Sequence, residues 1–201
     1  MICRLGSMKH WGYYLRGWLL ENLGRREGAL LAYREALRAR PDFRRATNRL
    51  AYTYASLGRF EESEPHFRSV LRDDPDNAVA HFNLGFTLDK RGLHEPAIAE
   101  FRDATRLNRR LDRAWYGLGL AHAALGQHRQ AAEALRQAAD LQPMNPHAWY
   151  QLGMAHHALG EAANLKEVAL HLVRFDPKMG RRLIQDAGAT ELDYLVKDLV
   201  V

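Results

Sequence analysis

Histidine is the residue type with the most obvious chemical potential in this chain, with ten copies against a single cysteine, Cys3. Imidazole ligates metals and carries protons near neutral pH. The spacing argues against both roles. His156 and His157 are adjacent, so on a helix their side chains diverge by about 100° and do not share a site easily. No His-x3-His pair has a third ligand at a plausible distance, and no cysteine ligand is available. Glu61, Glu62, Glu64, Asp73 and Asp74 fall at expected helix starts and turns, where solvent and helix dipoles account for them. There is no nucleophile elbow, phosphate loop or dinucleotide motif. The expectation is a chain with no catalytic residue, no metal and no cofactor. What remains is recognition by rings and guanidiniums, and the elements that would position them are written in a repeat.

That repeat is 34 residues long. Gly24, Gly58, Gly92, Gly126 and Gly160 are spaced by it, as are Gly17, Ala51, Gly85, Gly119 and Gly153. Pro41, Pro75, Pro143 and Pro177 follow the same spacing, with Arg109 in the one missing place. A period of this length marks a solenoid whose units pack on their neighbours. Each unit reads as two helices and a turn. In the fourth, Trp115, Leu118, Leu120, His122 and Leu125 have helical spacing, Gly126 ends the helix, and a second runs from about His128 to Leu141. The units are 10–43, 44–77, 78–111, 112–145 and 146–179. Counting slots within each, slot 8 is small (Gly or Ala), so the two helices of a unit approach closely. Slot 20 is small in Ala29, Ser63, Ala97 and Ala131, and slot 27 in Ala36, Ala104 and Ala138, with Val70 slightly larger. Slot 24 is large in Tyr33, Phe67, Phe101 and Leu135, which are expected to fill the space between units.

Trp115-x-x-Leu118-Gly119, His122, Gly126, Ala131, Leu135, Ala138 and Pro143 resemble the tetratricopeptide repeat pattern, and Trp149-x-x-Leu152-Gly153 repeats its opening. The resemblance covers residues 10–179 in five phased units. It implies an all-α fold, a right-handed α-solenoid of five helix–turn–helix units with a C-terminal capping helix segment. Local departures are Thr47 and His81 where an aromatic is usual, Arg16 at a leucine slot, and Leu165 and Leu172 at small slots. The last two predict that the second helix of the fifth unit is displaced or packs differently. His122 and His156 share one aromatic slot and His94 and His128 another, so core packing is expected to explain them.

In such stacks the first helix of each unit lines a concave groove, through slots 2, 5, 9, 12 and 13. On that resemblance the candidate peptide-binding residues are Trp11, Tyr14 and Trp18 in the first unit, and Arg45, Asn48 and Tyr52 in the second. Phe82, Asn83 and Phe86 follow in the third, Arg113, Tyr116 and Leu120 in the fourth, and His147, Tyr150 and Met154 in the fifth. Half of the rings are expected to pack between helices, slot 9 being partly buried in the family. The rest would form an apolar strip of the kind that marks interaction sites. The family's clamp for acidic C-terminal tails is not expected. At its positions Asn48, Tyr52, Asn83, Arg113 and Gly117 match only in Asn83 and, by charge, Arg113. An amphipathic helix or an extended apolar peptide fits better, with Arg45 and Arg113 pairing its acidic flanks.

The net charge of +5 is modest and its arginines gather at the first junction, in Arg34, Arg38, Arg40, Arg44, Arg45 and Arg49. Most are expected on second helices and turns, which does not make a nucleic-acid groove. Residues 1–9 read as an N-terminal extension without an apolar signal-peptide core, and Gly6-Ser7-Met8 has the form of a cloning scar. The apolar run from Trp11 to Leu23 is interrupted by Arg16 and Glu21 and is too short to span a bilayer. One cysteine fits a reducing cytosol. Residues 180–201 read as capping helices, one over 179–187. The last starts at Thr190 as N-cap, with Asp193 in capping-box position and Leu192, Leu195, Val196, Leu199 and Val200 as its stripe. The expectation is a non-catalytic, cytoplasmic scaffold or adaptor, bacterial by its preference for arginine over lysine. It would hold a segment of another protein, without nucleic acid or membrane insertion. Two alternatives stand beside it. One is a self-assembling protein joined head-to-tail by its C-terminal helix or N-terminal face, hence a homo-oligomer. The other is an accessory subunit of an enzyme complex.

Overall fold

The computed structural model describes residues 8–197. Among them the chain is helical throughout, without strands: α1 Lys9–Asn22, α2 Arg26–Ala39, α3 Arg44–Ser56, α4 Phe60–Asp73, α5 Ala78–Lys90, α6 His94–Leu107, α7 Asp112–Ala124, α8 His128–Leu141, α9 Pro146–Ala158, α10 Ala162–Phe175 and α11 Pro177–Asp186, then a 3-10 helix Thr190–Leu195. The repeated glycines explain the punctuation. Gly24, Gly58, Gly92, Gly126 and Gly160 all take φ between 70° and 75°, where a Cβ would be strained. In each unit the next amide donates back six-to-one across the helix end, as Arg25 N does to Leu20 O at 2.8 Å and Gln127 N to His122 O at 2.9 Å.

The chain packs as two compact units, residues 1–93 and 94–201. In the N-terminal unit α1 packs on α2, α2 on α3, α3 on α4 and α4 on α5. A Cβ on Gly17 would lie 2.5 Å from the Tyr33 ring, so slot 8 is small because the slot 24 ring occupies its face. In the second repeat the slot 20 hydroxyl of Ser63, wholly buried, donates to Ala51 O at 2.8 Å. Tyr33 and Phe67 are fully buried, as their slot requires.

The C-terminal unit runs from α6 to the 3-10 helix, and its core from α8 onward includes Leu135, Trp149, Leu152, Val168, Leu172, Leu183 and Ile184. A Cβ on Gly119 would meet Leu135 at 2.5 Å, and one on Gly117 would meet Phe101 at 2.7 Å. In the fifth repeat slot 24 is Ala169, too small for this role, and a Cβ on Gly153 would instead meet Leu183 of α11 at 2.6 Å. Leu165 and Leu172 are buried, so this repeat does pack differently, with large and small residues exchanged between slots.

The C-terminal expectations need correcting. The capping helix begins at Pro177 and not at Met179, because Asp176 caps it by accepting from Met179 N at 2.9 Å and Pro177 fits the first turn. Thr190 is no N-cap: Ala189 precedes a six-residue 3-10 helix with no side-chain cap bond. Gly188, at φ 61°, closes α11, and the Thr190 amide is already bonded to Gly188 O. Leu192 and Val196 are buried against the fifth repeat, so this segment is a cap. Leu199 and Val200, together with residues 1–7, lie outside the described residues.

Candidate functional site

In the N-terminal unit, α1, α3 and α5 carry the candidate rings, and the structure sorts them differently from the expectation. The slot 9 rings are the open ones: Trp18 is 46% exposed, Tyr52 51% and Phe86 38%. The slot 2 and slot 5 rings are the packed ones. Trp11 lies 5.0 Å from the Phe43 ring and 5.8 Å from Tyr14, and Tyr14 packs on Phe43 and Tyr33. Slot 9 lies a turn further along, where no side chain of the unit covers it fully. Arg45 is exposed and stands over Trp11, 5.3 Å from the ring centre, so its charge is held at the edge of this face. Asn48 is exposed, while Phe82 and Asn83 are half-buried. Phe86 leans edge-on to Phe60 at 6.1 Å, with the Lys90 ammonium 5.4 Å away.

A polar network underlies these rings. Glu21, at slot 12, accepts from the buried Tyr33 hydroxyl at 2.8 Å and pairs with Arg49 at 3.6 Å. Arg49 also faces the Tyr14 hydroxyl. Burial, with the Glu21 carboxylate beside it, pushes the Tyr33 hydroxyl far above its ordinary pKa, so it stays a proton donor. The network ties slot 12 of one first helix to slot 6 of the next and holds α1 and α3 in register.

In the C-terminal unit the equivalent positions are more covered. Leu120, Met154 and Tyr116 are half-buried, and Arg113 and His147 are exposed. Tyr150 donates its hydroxyl to Asp186 of α11 at 2.6 Å, with the Arg182 guanidinium 5.3 Å from its ring. α11 thus engages a slot 5 ring of the last repeat.

Two periodic polar features escaped the sequence reading. At slot 4, Trp115 Nε1 donates to Arg109 O at 3.0 Å and Trp149 Nε1 to Pro143 O at 2.9 Å, while His81 Nε2 bonds Pro75 O at 2.9 Å. The slot 4 ring locks the preceding inter-repeat loop, and histidine keeps the bond where tryptophan is absent. At slot 11, buried His122 and His156 bond the slot 16 side chains of Gln127, at 2.6 Å, and Glu161, at 2.7 Å. Polar partners five residues on were the available signal. Among the described residues no group of three metal-ligating side chains converges, and no helix is long and apolar enough to cross a membrane.

Comparison with known proteins agrees with this architecture. Tetratricopeptide repeat profiles match residues 14–78, 48–112 and 146–179, and a related TPR repeat profile matches 123–160. No curated protein matches the sequence. Among solved structures, MamA superposes with a TM-score of 0.76 at 23% identity, over 92% of this chain and 97% of that one. YrrB, described as a TPR protein with an unusual peptide-binding site, gives 0.75 at 21%, over 88% and 90%. PilF of Pseudomonas aeruginosa gives 0.72 at 19%, over 97% and 95%.

Proposed function

The chain belongs to the tetratricopeptide repeat family, and on that premise we propose that it is a non-catalytic protein–protein interaction scaffold whose N-terminal unit binds an apolar or amphipathic segment of another protein. The observation that carries this reading is the series Trp18, Tyr52 and Phe86, one ring from each of three successive first helices, all at slot 9 and all open to solvent. Rings of this kind bury much area at little entropic cost. The Glu21–Arg49–Tyr33 network fixes the helices that carry two of them, so the face is organised before a ligand arrives. Arg45 supplies a cation at its edge for an acidic flank. Trp11 and Tyr14 then act mainly as the packing beneath.

A peptide library selected on the intact protein tests this. Apolar or amphipathic peptides so obtained are expected to weaken at least about tenfold toward Phe86→Glu and Trp18→Ala. Helical content should stay unchanged. Peptides that bind both variants as tightly as the parent would sink the proposal.

Self-association is a second reading with its own observation. Leu15 and Leu19 on α1 and Leu23 at its C-cap form an exposed stripe at helical spacing. The burial of Leu192 and Val196 leaves the C-terminal version less support. Light scattering after size exclusion at several concentrations decides it: a constant mass near 23 kDa rejects self-association, and Leu19→Glu should restore a monomer if mass rises.

A further inference from the structure

A cavity of about 640 Å³ opens in the C-terminal unit between the second helices α6 and α8, floored by α7. Its α6 side carries Arg102, Arg106 and Arg109, its floor Trp115, and its α8 side Gln137 and Glu133. Arg106 is tied to Asp103 at 3.0 Å, while Arg102 and Arg109 have no ion-pair partner among the described residues. Three guanidiniums thus face one lining carboxylate.

The groove one repeat later shows what this place looks like when it is filled. There Arg136, in the slot of Arg102, covers the Trp149 ring at 5.3 Å and pairs with Glu167 at 4.0 Å, and His171 packs on the same indole at 4.1 Å. Trp149 is 7% exposed and the remaining cavity is about 270 Å³. Trp115 is only half-buried, and Gln137 stands where His171 would close the groove. Arg109 also breaks the repeat: the other four repeats have proline at its position, two of them followed by aspartate, but here Arg109-Arg110 stands. The one loop that departs from the pattern therefore adds a cation to the open groove.

We infer that this groove is a second binding site, separate from the aromatic face of the N-terminal unit, and that it takes an acidic peptide segment. Two carboxylates of the segment pair with Arg102 and Arg109, an apolar or planar side chain lies on Trp115, and the Gln137 amide bonds the peptide backbone. A nucleic acid strand fits less well. The groove offers one indole where a strand needs a series of stacking platforms, and Glu133 repels a phosphate backbone.

Fluorescence anisotropy of labelled hexaglutamate with the full chain at low ionic strength tests the assignment. The expected result is saturable one-to-one binding that disappears in high salt. The double variant Arg102→Glu/Arg109→Glu should weaken it at least about tenfold, and the neutral Arg102→Gln/Arg109→Gln should fall in between. Both positions are exposed, so circular dichroism should report an unchanged fold. Phe86→Glu should leave the affinity as it is, which separates this site from the one proposed above. Absence of saturable binding overturns the inference. So does binding by both double variants as tight as by the parent, or tighter binding of a single-stranded oligonucleotide than of hexaglutamate.

Discussion

The two halves of this chain carry the same 34-residue pattern and use it differently. In the N-terminal unit buried clusters form around Tyr33 and Leu50 and around Phe43 and Ala46, while the large slot 9 rings Trp18, Tyr52 and Phe86 stay on the surface. A polar network, Glu21 with Tyr33 and Arg49, spans its first helices. In the C-terminal unit one alanine-rich core runs from Ala131 to Val196, and the slot 9 side chains are smaller and more covered. The difference teaches that slots 8, 20, 24 and 27 specify the stack, while slots 2, 5 and 9 are free to specialise. One half spends that freedom on exposed aromatics and the other on cohesion.

The sharpest way to break the comparison is to attack the cohesion. Leu183 is fully buried and does for Gly153 what Leu135 does for Gly119. Leu183→Ala should cost about 3 kcal/mol, the range for a buried leucine truncated where the site cannot collapse. Urea unfolding should show Leu135→Ala costing a similar amount. A loss under about 1 kcal/mol for Leu183→Ala would mean that α11 is an appendage and not part of the core.

Next comes the network of the N-terminal unit. Glu21→Ala leaves the Tyr33 hydroxyl and the Arg49 guanidinium without their shared acceptor. The expected loss is about 2 kcal/mol, with Glu21→Gln recovering roughly half because it keeps an acceptor for the hydroxyl. Equal losses from the two would show that charge, and not the hydrogen bond to Tyr33, holds α1 to α3.

Most of this stack was legible in the sequence because its cause is local and repeated. Glycine at a fixed position forces the turn, and a small residue opposite a large one forces the helix pair. The legibility ended where a slot is filled from outside its own repeat. Slot 24 of the fifth repeat holds the small Ala169, and nothing in the 34-residue period itself says that Leu183, from beyond the repeat, takes the place of a large residue there. Thr190 has the letters of a capping box, yet Gly188 and Ala189 close α11 so tightly that the next amide is already satisfied. For the candidate face the sequence named the stripe but reversed its exposure. Whether Tyr14 or Trp18 is covered depends on Phe43 and Tyr33, residues of neighbouring elements that a slot count does not weigh.

A smaller effect tests the loop locks. Trp149→Phe keeps the ring in the core but removes the bond to Pro143 O, and should cost about 1 kcal/mol. Thr47 occupies the same slot in the second repeat without a ring, so the first inter-repeat loop lacks this lock. Native-state hydrogen exchange should find the amides around Asn145 opening more readily in Trp149→Phe, with no change around Phe43.

The smallest effect separates the two halves by pH. His66 stacks on Tyr54, the ring centres 5.7 Å apart and the planes within 5°, and burial pushes its imidazole below the ordinary histidine pKa. The folded state therefore favours the neutral ring. Above the unfolded value, about 6.5, both states are neutral and the contribution is fully present. As pH falls below that value the unfolded chain takes up the proton first, and stability is lost progressively until the folded pKa is passed. His122 and His156 in the C-terminal unit bond Gln127 and Glu161 instead, a packing in which a ring nitrogen has a side-chain partner. The melting temperature of the parent minus that of His66→Leu should therefore fall between pH 7 and 5, by a few degrees at most. Hydrogen exchange should place the loss in α3 and α4. A flat difference would mean that the stacked imidazole accepts its proton as readily folded as unfolded, and that the acid sensitivity of the chain lies elsewhere.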